Sequence, residues 1–198
     1  MFRAELQERI QLMEPELVKV SDQSLHLTEK GEGEADLEIQ LVNKCILIQK
    51  LENSKPEYFL NKKCADYVLF ENTDTSWKAH IFEMKKTIST NKWEIEIKKQ
   101  FHGAIQNILA LSGILGIEIT DIILHTVYRN DKINDMANLA KKHFCLHCKN
   151  ENRSNYNTEK SDWNDVEISL KFLDRKKFKH NKIKLDLETG TGKYNLQN

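Results

Sequence analysis

Residues 64–70 read Cys64-Ala65-Asp66-Tyr67-Val68-Leu69-Phe70, and residues 78–85 read Lys78-Ala79-His80-Ile81-Phe82-Glu83-Met84-Lys85. Both runs are short and rich in β-branched and aromatic residues. Between them Glu71-Asn72-Thr73-Asp74-Thr75-Ser76 has the chemistry of a turn, so the pair predicts two strands joined as a hairpin. Side chains on a strand alternate between faces. Asp66, Val68 and Phe70 therefore share one face of the first strand, and Ile81, Glu83 and Lys85 share one face of the second. Charges among apolar neighbours on buried strands are costly unless something compensates them. A divalent cation bound by Asp66 and Glu83 would do so. A cross-strand ion pair between Lys85 and Asp66 or Glu83 is the alternative.

The segments on either side supply the context. Phe2, Leu6, Ile10, Met13 and Leu17 recur at steps of three and four, which predicts a first amphipathic helix with a kink or restart at Pro15. Leu37, Ile39 and Leu41 alternate with polar residues as a strand. Asn43-Lys44 is read as a turn from which Cys45–Leu51 returns as a second, more apolar strand. Trp93–Leu115 carries Ile97, Phe101, Ala104, Ile105 and Ile108 on one helical face, with Gly113 and Gly116 marking its end. Ile119–Val127 reads as a buried strand, and Asp135–Phe144 as a shorter helix. Val166, Ile168, Leu170 and Phe172 alternate as another strand, and Ile183, Leu185 and Leu187 as a last one. The expected fold is α/β, with residues 1–144 as a core domain. Residues 145–198 are expected to form a C-terminal extension, a polar loop and a basic β-hairpin packed on the same domain.

An Asp on one strand and Glu-x-Lys on the next, here Asp66 and Glu83-Met84-Lys85, resembles the PD-(D/E)xK nuclease superfamily, the restriction-endonuclease-like fold. Ala65 stands where that family has proline. The order helix, meander, helix, strand matches the family's αβββαβ core, a mixed sheet flanked by helices. The resemblance implies a Mg²⁺- or Mn²⁺-dependent endonuclease or exonuclease hydrolysing phosphodiester bonds, with DNA preferred over RNA. It implies Asp66, Glu83 and the Met84 carbonyl as metal ligands, and Lys85 as the residue acting on the attacking water and the developing charge. RecB-type members carry a glutamine in the following helix and a tyrosine four residues later. Gln100 matches the first and is a candidate catalytic residue, while Ala104 replaces the second. An acidic residue of the first helix reaches the metal in many members, which makes Glu5 and Glu16 candidates beside the plainer reading of solvated carboxylates. The alternative function is a catalytically inactive relative that binds nucleic acid or a protein partner.

The remaining features bound the reading. Among 198 residues, Lys+Arg and Asp+Glu each number 30, so nucleic-acid contact requires a local basic surface and not a global charge. Lys176, Lys177 and Lys179, within the basic run Lys171–Lys184, and Lys86 are candidate backbone contacts; a solvated hairpin is the alternative. No apolar run has membrane-spanning length and no signal peptide is evident, so no membrane partner is expected. Four cysteines without a dense framework suit a reducing cytoplasm. Cys145-Leu146-His147-Cys148 has the spacing of half a zinc site, with free thiols as the alternative. Gly190-Thr191-Gly192-Lys193 lacks P-loop spacing and is read as a flexible tail. His80 faces away from Glu83 and is read as a packing residue. The expected partners are nucleic acid, DNA ahead of RNA, with a homodimer as an allowed assembly.

Overall fold

In the computed structural model, which describes residues 2–31, 34–50, 63–74, 76–135, 161–170 and 176–196, the runs carrying Asp66 and Glu83 are neighbouring antiparallel strands. Helix α1 (Ala4–Gln11) opens the chain. Strands β1 (Val18–Ser21), β2 (Ser24–Glu29), β3 (Ala35–Gln40), β4 (Cys45–Gln49), β5 (Tyr67–Asn72) and β6 (Trp77–Ile88) follow. A π-helical segment, Lys92–Ile97, runs directly into α2 (Lys98–Leu115), after which comes β7 (Ile119–Asp131). A 3-10 turn at Asp162–Asn164 precedes β8 (Glu167–Ser169), β9 (Lys177–Lys184) and β10 (Thr191–Asn195).

Seven strands form one mixed sheet in the order β1-β4-β5-β6-β7-β9-β8. Strands β4, β5 and β6 are an antiparallel meander, whereas β7 lies parallel to both β6 and β9. Parallel neighbours need a crossover, and α2 supplies it between β6 and β7. Its face of Phe101, Ala104, Ile105 and Ile108 packs on Val68, Phe70, Ile81 and Leu124 of the sheet. Gly116, in the left-handed region with φ 67°, closes the helix while the Ile117 N–H donates to the Ser112 carbonyl. Helix α1 joins the same core through Leu6, together with Phe2 just before the helix.

The opposite face of the sheet corrects two expectations. Among the described residues it carries no helix; strands β2, β3 and β10 form a second sheet, ordered β10-β3-β2, whose Leu27, Leu37 and Ile39 pack on Leu47, Leu69, Phe82 and Val127. Strand β3 is also not the hairpin partner of β4. Only Leu37 and Ile39 of β3 are buried, so it has one apolar face and suits an outer layer. Cys45–Ile48 of β4 is buried on both faces, as a central strand must be. The link at Asn43-Lys44 therefore crosses between layers.

Helix α1 stops at Gln11, four residues short of Pro15, with Leu12 outside it and exposed. Val18 and Val20, which adjoin the end of the expected helix, instead alternate with Lys19 and Ser21 on edge strand β1, paired with β4. At the other end, Gly190–Lys193 is not a tail: Thr191 and Gly192 begin β10, which pairs parallel with β3. Strands β8 and β9 pair antiparallel and extend the main sheet beyond β7. Most of the expected helix at 135–144 and the Cys145–Cys148 cluster lie outside the described residues. Among the described residues no helix is long and apolar enough to cross a membrane.

Candidate active site

The last ladder pair of β5 and β6 is Tyr67↔Phe82, which sets Asp66 one step further on, beside Glu83. Cross-strand neighbours share a face, here the face covered by α2. Asp66 turns its Oδ2 onto the Met84 backbone N–H, which donates at 2.7 Å. A strand residue points its N–H and C=O to the same side. The Met84 carbonyl is thus directed to the side on which Asp66 stands.

Glu83 is 0% exposed. Neither of its oxygens meets a well-aligned donor among the described residues, although Lys85 Nζ stands 2.6 Å from Oε1 as an ion pair. Burial, and then the Asp66 charge, hold its carboxyl well above the usual glutamate range against the pull of Lys85. Lys85 is the converse. Burial works to neutralise it, but Glu83, Asp66 and Glu96 together overcome that effect and keep the ammonium protonated. Glu96 Oε1, on the π-helical segment, lies 3.3 Å from Lys85 Nζ.

Asp66, Met84, Lys85 and Gln100 open onto one cavity of about 250 Å³. Gln100, one helical turn beyond Glu96, has a buried Oε1 with no hydrogen-bond partner among the described residues. The expected quartet of Asp66, Glu83, Lys85 and Gln100 is therefore brought together. Among the described residues no group of three or more His, Cys, Asp or Glu side chains is placed to hold a metal. The donor set is two carboxylates and a backbone carbonyl. That composition fits Mg²⁺ or Mn²⁺, which take hard oxygen ligands; Mg²⁺ keeps several of its waters.

Other candidates fall elsewhere. Lys86 lines the same cavity from the opposite face of β6. Lys176, Lys177 and Lys179 are exposed near the start of β9, where Lys179 pairs with Ile123 and so lies level with His80. The lysine of β9 level with Lys85 is Lys184, through Tyr128, five residues and about 17 Å further along. Glu5 pairs with Arg9 beside Trp77, the opposite end of β6 from Glu83, and Glu16 pairs with Lys50. Cys45 and Cys64 are buried free thiols, pushed by burial up to about 12 and about 11. His80 is buried on the second-sheet face, as expected.

Glu96 and Arg129 were not visible from the sequence. Glu96 sits four residues before Gln100, one helical turn, but nothing in the sequence distinguishes it from the neighbouring Glu94. Arg129 ends the cavity from β7, beyond the stretch that reads as buried strand. No protein-family model, no curated protein and no solved structure matches this chain.

Proposed function

We propose that this chain is a metal-dependent nuclease of the PD-(D/E)xK, restriction-endonuclease-like kind, hydrolysing phosphodiester bonds with DNA preferred over RNA. The observation that carries the reading is the fully buried Glu83 carboxyl group, without an aligned donor among the described residues, set behind Asp66 and Lys85, which line a cavity. Such a group is expensive in a structural role and well suited to coordinating a cation. The succession of the β4–β5–β6 meander, α2 and parallel β7, preceded at a distance of three strands by α1, supports it as well.

Asp66, Glu83 and the Met84 carbonyl would hold Mg²⁺ or Mn²⁺. When bound, the ion activates water and neutralises charge on the scissile phosphate. The chain's own contribution follows from its side chains. Lys85, protonated and set between Glu83 and Glu96, donates hydrogen bonds to the attacking water and to the oxygens that gain charge as the bond to the leaving oxygen breaks. Gln100 presents an unused carbonyl oxygen to the same cavity and orients that water. The apolar face of α2 covers this side of the sheet and excludes bulk solvent from behind.

Supercoiled plasmid, single-stranded DNA and RNA, each incubated with Mg²⁺, Mn²⁺ or EDTA, test the reading. Cleavage that needs the ion and favours DNA is expected. Binding of nucleic acid with no cleavage under any ion would replace it with the non-catalytic binding reading.

A further inference from the structure

We propose that Lys86 and Arg129 form a two-cation seat for a phosphate of a nucleic-acid strand on the far side of the same cavity. This deepens the nuclease reading and rests on it. Met84 and Lys86 alternate away from Glu83 and Lys85 on β6, as Val127 and Arg129 alternate away from Tyr128 on β7. The ladder pairs Lys85↔Tyr128 and Thr87↔Asn130 bracket Lys86 and Arg129 as side-by-side residues of adjoining strands. Like charges so placed repel. Among the described residues neither cation is within ion-pair distance of a carboxylate. Arg129 does help hold Asp186 below its usual range, but only after the N–H and hydroxyl groups of Thr189 and the Glu188 N–H, which already occupy that carboxylate.

The Arg129 guanidinium lies against Gly190, whose φ is 70°, so closely that a Cβ built there would overlap it. A guanidinium fork matches two oxygens of a phosphate at once, and the neighbouring ammonium adds a point charge. Val127 and Leu185 line the cavity beside it and offer an apolar wall to a sugar. Glu29 also faces the cavity, but its Oε1 accepts the Gly31 N–H at 2.7 Å. A volume of about 250 Å³ lies below the roughly 300–1,000 Å³ of small-molecule pockets. It suits one sugar-phosphate unit of a passing strand better than a free metabolite. The strand would then run over the sheet end, with one phosphate on Arg129 and Lys86 and the next beside Asp66.

The test is anisotropy of labelled single-stranded DNA, duplex DNA and RNA oligonucleotides in EDTA across a salt series, with inorganic phosphate and a mononucleotide as competitors. Wild type is expected to bind an oligonucleotide. Arg129→Gln should weaken binding about tenfold and flatten the slope of log affinity against log salt by about 0.7–0.9, the loss of one phosphate contact. Lys86→Gln, at an exposed position, should flatten the slope similarly, and serves if Arg129→Gln melts early. Unchanged affinity and slope in both variants would overturn the seat. So would competition by inorganic phosphate or the mononucleotide as strong as by oligonucleotide. Because no metal is present, the outcome is separate from cleavage: Arg129-dependent binding without nuclease activity keeps the seat and sinks the catalytic reading.

Discussion

Two buried glutamates stand on adjoining strands of one sheet, on opposite faces, and they are treated in opposite ways. Glu71 of β5, on the face covered by the second sheet, accepts the Asn43 amide at 2.8 Å, and its other oxygen lies 3.2 Å from His80 Nε2. His80 in turn lies 3.0 Å from His125 Nε2, and His125 stacks on Phe82. The His80 contact first, then Asn43, hold the Glu71 carboxyl below its usual range in spite of burial. Glu83, on the α2 face, has only an off-axis lysine and a neighbouring carboxylate, and is raised. Burial alone therefore does not mark a functional acid. The donors separate the two: Glu71 is satisfied within the fold, while Glu83 has the Lys85 ammonium beside it but no aligned donor among the described residues.

The largest expected effect breaks the pair apart by activity. Lys85→Ala should lower cleavage on the order of a hundredfold to a thousandfold while keeping metal affinity, the loss typical of a preorganised charge stabiliser. Glu83→Ala should lose both, with metal binding read by calorimetry. Glu71→Ala should cleave as wild type does once folded. Near-normal cleavage by Lys85→Ala would remove lysine from the mechanism, and a dead Glu71→Ala of wild-type stability would erase the distinction drawn here.

Stability without metal should sort the two residues the other way. Glu71→Ala leaves the buried His80 and the Asn43 amide without their acceptor and is expected to cost roughly 1.5–3 kcal/mol in urea unfolding. Glu83→Gln should be neutral or stabilising in EDTA, because it relieves a carboxylate beside Asp66. A destabilised Glu83→Gln would show that Glu83 is held by partners of its own.

The pH dependence sharpens the contrast with the smallest effect. The folded state holds the Glu83 proton more tightly than the unfolded chain does. Stability in EDTA should therefore fall as pH rises from the ordinary glutamate value towards the raised one, and Glu83→Gln should flatten that fall. Glu71 has the opposite sign: its contribution is present above the ordinary value and is lost as pH drops through its lowered one, so Glu71→Ala should flatten the acid limb. Each slope is bounded by about 1.4 kcal/mol per pH unit. Urea unfolding across pH measures both, and slopes of the same sign would refute the assignment.

Much of this site was legible because period-two alternation is local. Asp66, Glu83 and Lys85 share a face for reasons contained in a few residues, and Gln100 follows from the helical period of α2. Partner choice is not local. The Leu37–Leu41 pattern announces a strand, yet nothing in it says that its partners are β2 and β10 and not β4. Strand β10 was hidden because Gly190 and Gly192 read as punctuation. Gly190 takes a backbone region that side chains avoid, and a Cβ on Gly192 would crowd the Leu185 side chain, so both glycines serve packing. Arg129 was missed for a similar reason: a cation just past a buried strand is ordinary until the neighbouring strand sets Lys86 beside it.

The parallel pairing of Thr191 with Asp36 has a kinetic consequence. Contacts between distant parts of a chain form slowly, because loop entropy is lost before any contact rewards it. Asp66 and Glu83 come together through a short hairpin and belong to the fast class. The backing of Arg129 by Gly190, at the threshold of the last strand, belongs to the slow one. A refolding chain is therefore expected to bring Asp66 to Glu83 before Gly190 comes to back Arg129.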